Sequence, residues 1–210
     1  MIIPGFVLRI SAIRFPRLTC RINGTKGIIY LTFDDGPTPG VTETILDLLD
    51  SYHARATFFC QGSKASEFDY LYRQIMEKGH RVGNHSWSHP DGFLAGLRHY
   101  YADIEKAASI IPSALFRPPY GRIRPRALGS LSRHYRIILW SMMIPDYMSL
   151  KNPRHTARVF AGRVRDGEII VMHDSQLAKE NLLQILPAFL EVVTRAGFVL
   201  EALPVMDKGN

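Results

Sequence analysis

Gly27-Ile28-Ile29-Tyr30-Leu31-Thr32-Phe33-Asp34-Asp35-Gly36-Pro37 is the stretch on which the fold turns. Its first seven residues have the β-branched and aromatic content of a buried strand. The strand then ends in two adjacent carboxylates followed by Gly-Pro. That is poor design for stability, because like charges repel and neither aspartate can neutralise the other. Two explanations stand at this point: the pair serves chemistry, or it caps the following helix, as Asp often does.

Working outward, Val41, Ile45, Leu48, Leu49 and Tyr52 recur at helical spacing, with Asp47 and Asp50 on other faces. Strands are expected at Ala56–Phe59, Arg81–Gly83, Leu115–Phe116, Tyr135–Trp140, Glu168–Met172 and Phe198–Leu200. Helices are expected between them at Glu67–Lys78, Leu94–Ile111, Pro125–Leu131, Arg154–Val164 and Asn181–Ala196, with Gly79 and Gly197 as stop signals. Continuous apolar strands alternating with helices predict an α/β domain with a parallel sheet, either a barrel or a doubly wound sheet of seven strands. In both architectures reactive groups gather at the C-terminal ends of the strands. The unusual polar residues fall there: Asp34 and Asp35, then His85 and His89, Arg117, Asp146, and finally His173 and Asp174.

A chain of 210 residues, 46% of them hydrophobic, can bury one sizeable core without staples. Cys20 and Cys60 have no paired spacing and are read as free thiols. The net charge of +7 suits an anionic partner, but the basic residues are scattered. Their nearest cluster, Arg117, Arg122, Arg124 and Arg126, carries Pro118, Pro119 and Pro125, unlike a basic recognition helix, so no nucleic-acid partner is expected. The first twenty residues are apolar but broken by Arg9, Arg14, Arg17, Pro4 and Pro16, so stable membrane insertion is not expected. They also lack the parts of a signal peptide, leaving a cytoplasmic or membrane-peripheral location. Residues 1–25 are expected to form an arm packed on a catalytic domain of residues 26–205, with a place on a membrane surface as the alternative. Nothing in the composition addresses oligomeric state.

His85-Ser86-Trp87-Ser88-His89 sets two imidazoles four residues apart, on one side of a helical turn, where both can reach one metal ion. Adding a carboxylate from the first strand end gives two His and one Asp with a coordination position left open, the pattern of a catalytic zinc. The second aspartate, held beside it, can then take a water's proton as general base. His173, in the apolar strand end V-M-H-D, is a candidate proton donor, with a packed strand-end histidine as the plain alternative.

T-F-D-D-G-P, H-S-W-S-H, F-R-P-P-Y-G and V-M-H-D, in this order, closely resemble the polysaccharide deacetylases of carbohydrate esterase family four, over roughly Lys26 to Leu203. The resemblance implies a distorted (β/α) barrel with fewer than eight strands, and hydrolysis of N-acetyl groups on glycans. It implies Asp34 as catalytic base, Asp35, His85 and His89 as ligands of a divalent metal (zinc, with cobalt or nickel as alternatives), and His173 as general acid. By the same resemblance Arg117 would hold Asp34, and Tyr120 would offer its backbone N–H to an oxyanion. Trp140, Pro118 and Asp146 are expected at the substrate pocket. One motif departs: where the family commonly has W-x-x-D-x-x-D-W, residues 140–147 read W-S-M-M-I-P-D-Y. Met143 stands at the first Asp, the one paired with the histidine, and Tyr147 at the Trp. A carboxylate supplied by Asp146 within reach of His173 would restore the pair.

The expected function is therefore metal-dependent release of acetate from an N-acetylglucosamine-containing glycan, chitin-like or peptidoglycan-like. The alternative, drawn from Met143 and the missing export signal, is a glycan-binding protein with a degenerate site. A metal phosphoesterase is disfavoured because no Gly-rich anion loop precedes a helix.

Overall fold

The strand foreseen at the centre of the sequence, Ile28–Asp34, is at the centre of the sheet, flanked on both sides by parallel partners. In this computed structural model, which describes residues 18–204, the strands are β1 (Leu18–Thr19), β2 (Ile28–Asp34), β3 (Ala56–Cys60), β4 (Arg81–Asn84) and β5 (Leu115–Phe116), followed by β6 (Arg136–Ile138), β7 (Met142–Met143), β8 (Ile169–His173) and β9 (Val199–Leu200). The expected arm before residue 18 and residue 205 lie outside the described residues. The helices are α1 (Thr42–Ser51), α2 (Gly62–Glu67), α3 (Asp69–Glu77), α4 (Leu97–Ala108), α5 (Pro125–Leu131), α6 (Pro153–Ala161) and α7 (Lys179–Arg195), with a 3-10 turn at Pro119–Gly121.

The order is β1-β6-β5-β4-β3-β2-β8-β7, with β9 on the start of β2, and every ladder between these strands is parallel. All seven expected strands are present; the sheet has nine because β1 and β7 add two residues each. The run from 136 to 143 accounts for β7. Its first part pairs with β5 and β1, and after a bend at 139–141 its second part pairs with β8. The sheet therefore curls into a distorted barrel whose two flanks are joined by one bent segment, and among the described residues no ladder joins β1 to β7.

Helix formation follows the apolar spacing, with corrections. On α1 the buried face is Ile45, Leu46 and Leu49, and Leu48 is only half-buried. Helix α1 begins after Val41 with no side-chain cap, so Asp34 and Asp35 are not its caps. A separate short helix, α2, precedes the expected one; it opens on Gly62 and has no apolar stripe to announce it. Helix α7 buries Leu182, Ile185, Leu186, Phe189, Leu190 and Val193 against the sheet, where Phe33 and Phe58 stack at 5.0 Å. Truncating Phe189 to Ala would cost about 3–5 kcal/mol through the cavity it leaves. That core fixes the rim on which the polar residues stand. No helix among the described residues is long and apolar enough to cross a membrane.

Candidate active site

Parallel register brings the first and last motifs together, because Asp34 at the end of β2 pairs with His173 at the end of β8. Around this rim lies a cavity of about 450 Å³ lined by Asp34, Asp35, His85, His89, Tyr120, Trp140 and His173, together with Gly121, Arg122, Met143, Tyr147, Ser175 and Leu177.

The two aspartates face different partners. Asp34 Oδ1 accepts a 2.6 Å hydrogen bond from Arg117, whose side chain is fully buried. The same guanidinium donates to Thr32 Oγ1 at 2.8 Å and to the carbonyls of Ile138 (3.3 Å) and Leu139 (3.2 Å), and stacks over Phe59 at 4.1 Å. Leaving a buried guanidinium unpaired would be costly, so these contacts lock its direction and thereby that of Asp34. Asp35 has a left-handed backbone, φ 78°, which swings its carboxylate away from Asp34's partner. Its Oδ1 lies 3.1 Å from His89 Nε2 and 3.6 Å from His85 Nε2, and accepts from Gln61 Nε2 at 3.2 Å.

Ligand-capable atoms of Asp35, His85 and His89 all lie within 4.8 Å of one another, the one such group of three among the described residues. His85 Nδ1 sits 2.7 Å from the Arg117 carbonyl, which can only accept; Nδ1 therefore carries the proton and Nε2 keeps its lone pair toward the site. Burial also holds this imidazole below its ordinary pKa, against the pull of Asp34 and Asp35, in the neutral form that ligates metals. Burial raises the Asp35 carboxyl, but its contacts with His89 and His85 outweigh it and hold it well below the usual carboxylate range. Two imidazoles and one carboxylate converging on one point make a donor set that fits a divalent ion.

The H-S-W-S-H segment is not the helical turn its spacing predicts. It is a loop, turned by left-handed residues Ser86 (φ 65°) and His89 (φ 62°), and the turns rather than an i,i+4 face converge the two rings to 5.0 Å. Asp103 on α4 secures the loop, accepting from Trp87 N (2.7 Å), Ser88 N (3.0 Å) and Ser88 Oγ (2.6 Å). The start of α2 ties both motifs together. Gln61 N–H donates to the Gly36 carbonyl, and the N–H groups of Gly62 and Ser63 donate to Ser86 and Trp87.

Across the cavity, His173 Nδ1 lies 2.8 Å from Asp146 Oδ1, while Asp146 Oδ2 accepts from His173 N at 2.6 Å. Burial lowers the histidine, but the bond to Asp146 and its charge outweigh that and raise the pKa above the ordinary 6.5. Tyr147 meets this ring edge-on at 4.9 Å and donates its hydroxyl to Met143 Sδ at 3.5 Å. Asp146 is thus fully buried behind His173 and does not line the cavity, contrary to its expected place in the substrate pocket. Pro118 is also buried and off the cavity wall, because the chain stays extended there before the 3-10 turn lifts Tyr120 outward. Tyr120 (φ 59°) stands at the mouth, 4.5 Å from the His89 ring, and Trp140 packs on Gly121, where a Cβ would lie 2.7 Å from the indole. Arg122, Ser175 and Leu177 had no signal beyond their position in strand-end loops.

With this geometry in hand, the family match falls into place. Residues 21–135 match the family model described as polysaccharide deacetylase, and the chain belongs to that family. It is 35% identical over 157 residues to the peptidoglycan-N-acetylglucosamine deacetylase PgdA of Listeria monocytogenes, covering 71% of this chain but 33% of that protein. It is 28% identical over 202 residues to the chitooligosaccharide deacetylase of Bradyrhizobium sp., covering 87% and 91% of the two chains. A solved peptidoglycan N-acetylglucosamine deacetylase, in complex with 4-naphthalen-1-yl-N-oxidanyl-benzamide, shares the fold with a TM-score of 0.87 at 26% identity, over 92% of this chain and 94% of that one. The chain thus spans about a third of the length of the Listeria relative.

Proposed function

We propose that this chain removes N-acetyl groups from N-acetylglucosamine-containing glycans of the chitin or peptidoglycan kind, releasing acetate. The observation that carries this is the split orientation of the adjacent carboxylates: Asp34 bound to Arg117, Asp35 turned to His85 and His89. The family is divalent-metal dependent in general. Asp35, His85 and His89 would hold the ion here, zinc in our reading, with cobalt or nickel as alternatives. When bound, it supplies polarisation of the amide carbonyl and a water acidified to a pKa of roughly 7.

The protein's own groups account for the proton traffic. Asp34, aimed by Arg117, takes a proton from the water that adds to the acetamide carbon. The Tyr120 N–H faces the developing oxyanion, and Trp140 walls the acetyl group. His173, held by Asp146 and biased toward its protonated form, gives a proton to the nitrogen as the C–N bond breaks, leaving a free amine and acetate. Met143 removes the family's first carboxylate, yet the contact of Asp146 with His173 supplies what that carboxylate would have given, which favours catalysis over mere glycan binding. In this reading residues 26–205 form the catalytic domain, to whose sheet Leu18–Thr19 of the preceding segment adds β1.

The test is acetate release from chitooligosaccharides and from peptidoglycan by zinc- or cobalt-loaded protein. Release that stops on chelation and returns with metal is expected. Glycan binding without acetate release, metal being bound, would instead mark a binding protein.

A further inference from the structure

Asp174 follows the proposed acid in sequence, is fully buried, and has no place in the mechanism above. Its contacts nonetheless enclose the D-D-G-P turn from both ends. Its N–H donates to the Asp34 carbonyl at 2.7 Å, and its own carbonyl accepts from Thr38 Oγ1 at 2.8 Å. Its carboxylate Oδ2 accepts from Thr42 Oγ1 at 2.7 Å, and that hydroxyl in turn accepts from the Thr38 N–H at 2.7 Å. Between these anchors the carboxylate fills the space under Gly36, where a Cβ would lie 2.1 Å from Oδ2. Oδ1 is buried without a hydrogen-bond partner among the described residues, and burial pushes the carboxyl up to about 7. A buried acid so poorly served is a net cost to stability, which calls for some other return.

We infer that Asp174 is a positioning residue: its side chain, through Thr42 and the seat under Gly36, fixes the turn that holds Asp35 in its left-handed conformation facing His85 and His89. The inference rests on the metal reading of that triad and extends it. A non-glycine residue in the left-handed region is strained and persists only where its surroundings over-determine it. The clamp supplies that restraint on one side of the turn, as the Gly36 and Asp35 carbonyls bonded to Gln61 N–H and Lys64 Nζ do on the other. It also makes one residue the link between the loop of the base and the strand end of the acid.

The experiment measures zinc affinity by competition with a chelating dye, alongside kcat, KM and thermal unfolding, for D174A, D174N and T42V. Outer groups that orient metal ligands are typically worth roughly 10–100-fold in affinity. D174A and T42V should therefore bind zinc at least about tenfold more weakly and lose kcat with KM little changed. D174N keeps the shape and the acceptor for Thr42 and should stay near wild type. If D174A does not fold, T42V and D174N decide. Lower melting temperatures with unchanged zinc affinity would reduce Asp174 to a packing role and overturn the inference, as would a D174N defect equal to that of D174A. Wild-type protein that binds no zinc would instead bring down the metal reading itself, and the clamp with it.

Discussion

On the β2–β4 side of the cavity, Asp35, His85 and His89 are aimed chiefly by backbone: left-handed residues at 35, 86 and 89, and loop N–H and carbonyl groups tied to α2 and Asp103. On the β7–β8 side, His173 is aimed by one side chain, the buried Asp146, in the loop after β7; Tyr147 of that loop only packs edge-on against the ring and bonds Met143 Sδ. The first side spreads its geometry over many contacts, each individually modest; the second concentrates it in one charge-assisted pair. The consequence is a difference in what each side tolerates. The Asp35–His85–His89 side depends on several left-handed turns and the bonds that hold them, whereas the His173 side depends on one carboxylate within reach of the imidazole.

The largest expected effect breaks the first side outright. His89→Ala removes one of the three clustered donors and should weaken zinc binding by more than roughly a hundredfold, measured by dye competition. The second breaks the other side without touching the metal. Asp146→Asn keeps an acceptor beside His173 but removes the charge, so acetate release should fall roughly a hundredfold with zinc affinity unchanged. The sign of its pH effect follows from the raised pKa. With His173 as the acid, the wild-type rate should persist above pH 6.5 and be lost as pH rises through the elevated value; without the Asp146 charge that decline should move to lower pH. An unmoved basic limb in kcat would remove His173 from the acid's role.

A smaller effect tests how the load is shared among the loop contacts. Asp103→Ala frees three donors in the H-S-W-S-H loop while leaving every ligand in place, and should cost roughly tenfold in zinc affinity. Smallest of all, Tyr147→Phe deletes only the hydroxyl bonded to Met143 Sδ, a weak acceptor. A loss of about 0.5 kcal/mol, near twofold in rate, is expected. A loss as large as that of Asp146→Asn would show that the acid side does not rest on one pair.

The same contrast explains what could be read from the chain alone. The apolar runs of β2 and β8 and the short motifs at their ends were legible because their chemistry is local in sequence. The pairing of Arg117 with Asp34 was reached only through resemblance, since 83 residues separate them. Strands β1 and β7 escaped notice where the equally short β5 and β9 did not, because Leu18–Thr19 follows a run broken by Pro16 and Arg17 and Met142–Met143 lies past a bend in the strand expected at 135–140; α2 did so because it opens on glycine and exposes no apolar stripe. The H-S-W-S-H spacing gave the right partners through the wrong geometry: positive φ at Ser86 and His89 does what a helical turn would have done. The expected place of Asp146 and Pro118 in the substrate pocket does not hold: both are buried behind the cavity wall, Asp146 against His173. Asp103 had no local signal at all, being one carboxylate in an otherwise ordinary amphipathic helix.

The division of labour between the adjacent aspartates is the heart of the account, and zinc content measured together with acetate release in Asp34→Asn and Asp35→Asn tests it directly. Asp34→Asn should bind zinc as the wild type does while releasing acetate roughly 10²–10⁴-fold more slowly, and Asp35→Asn should fail to retain the metal. Equal loss of zinc in both variants, or full activity in Asp34→Asn, would contradict it.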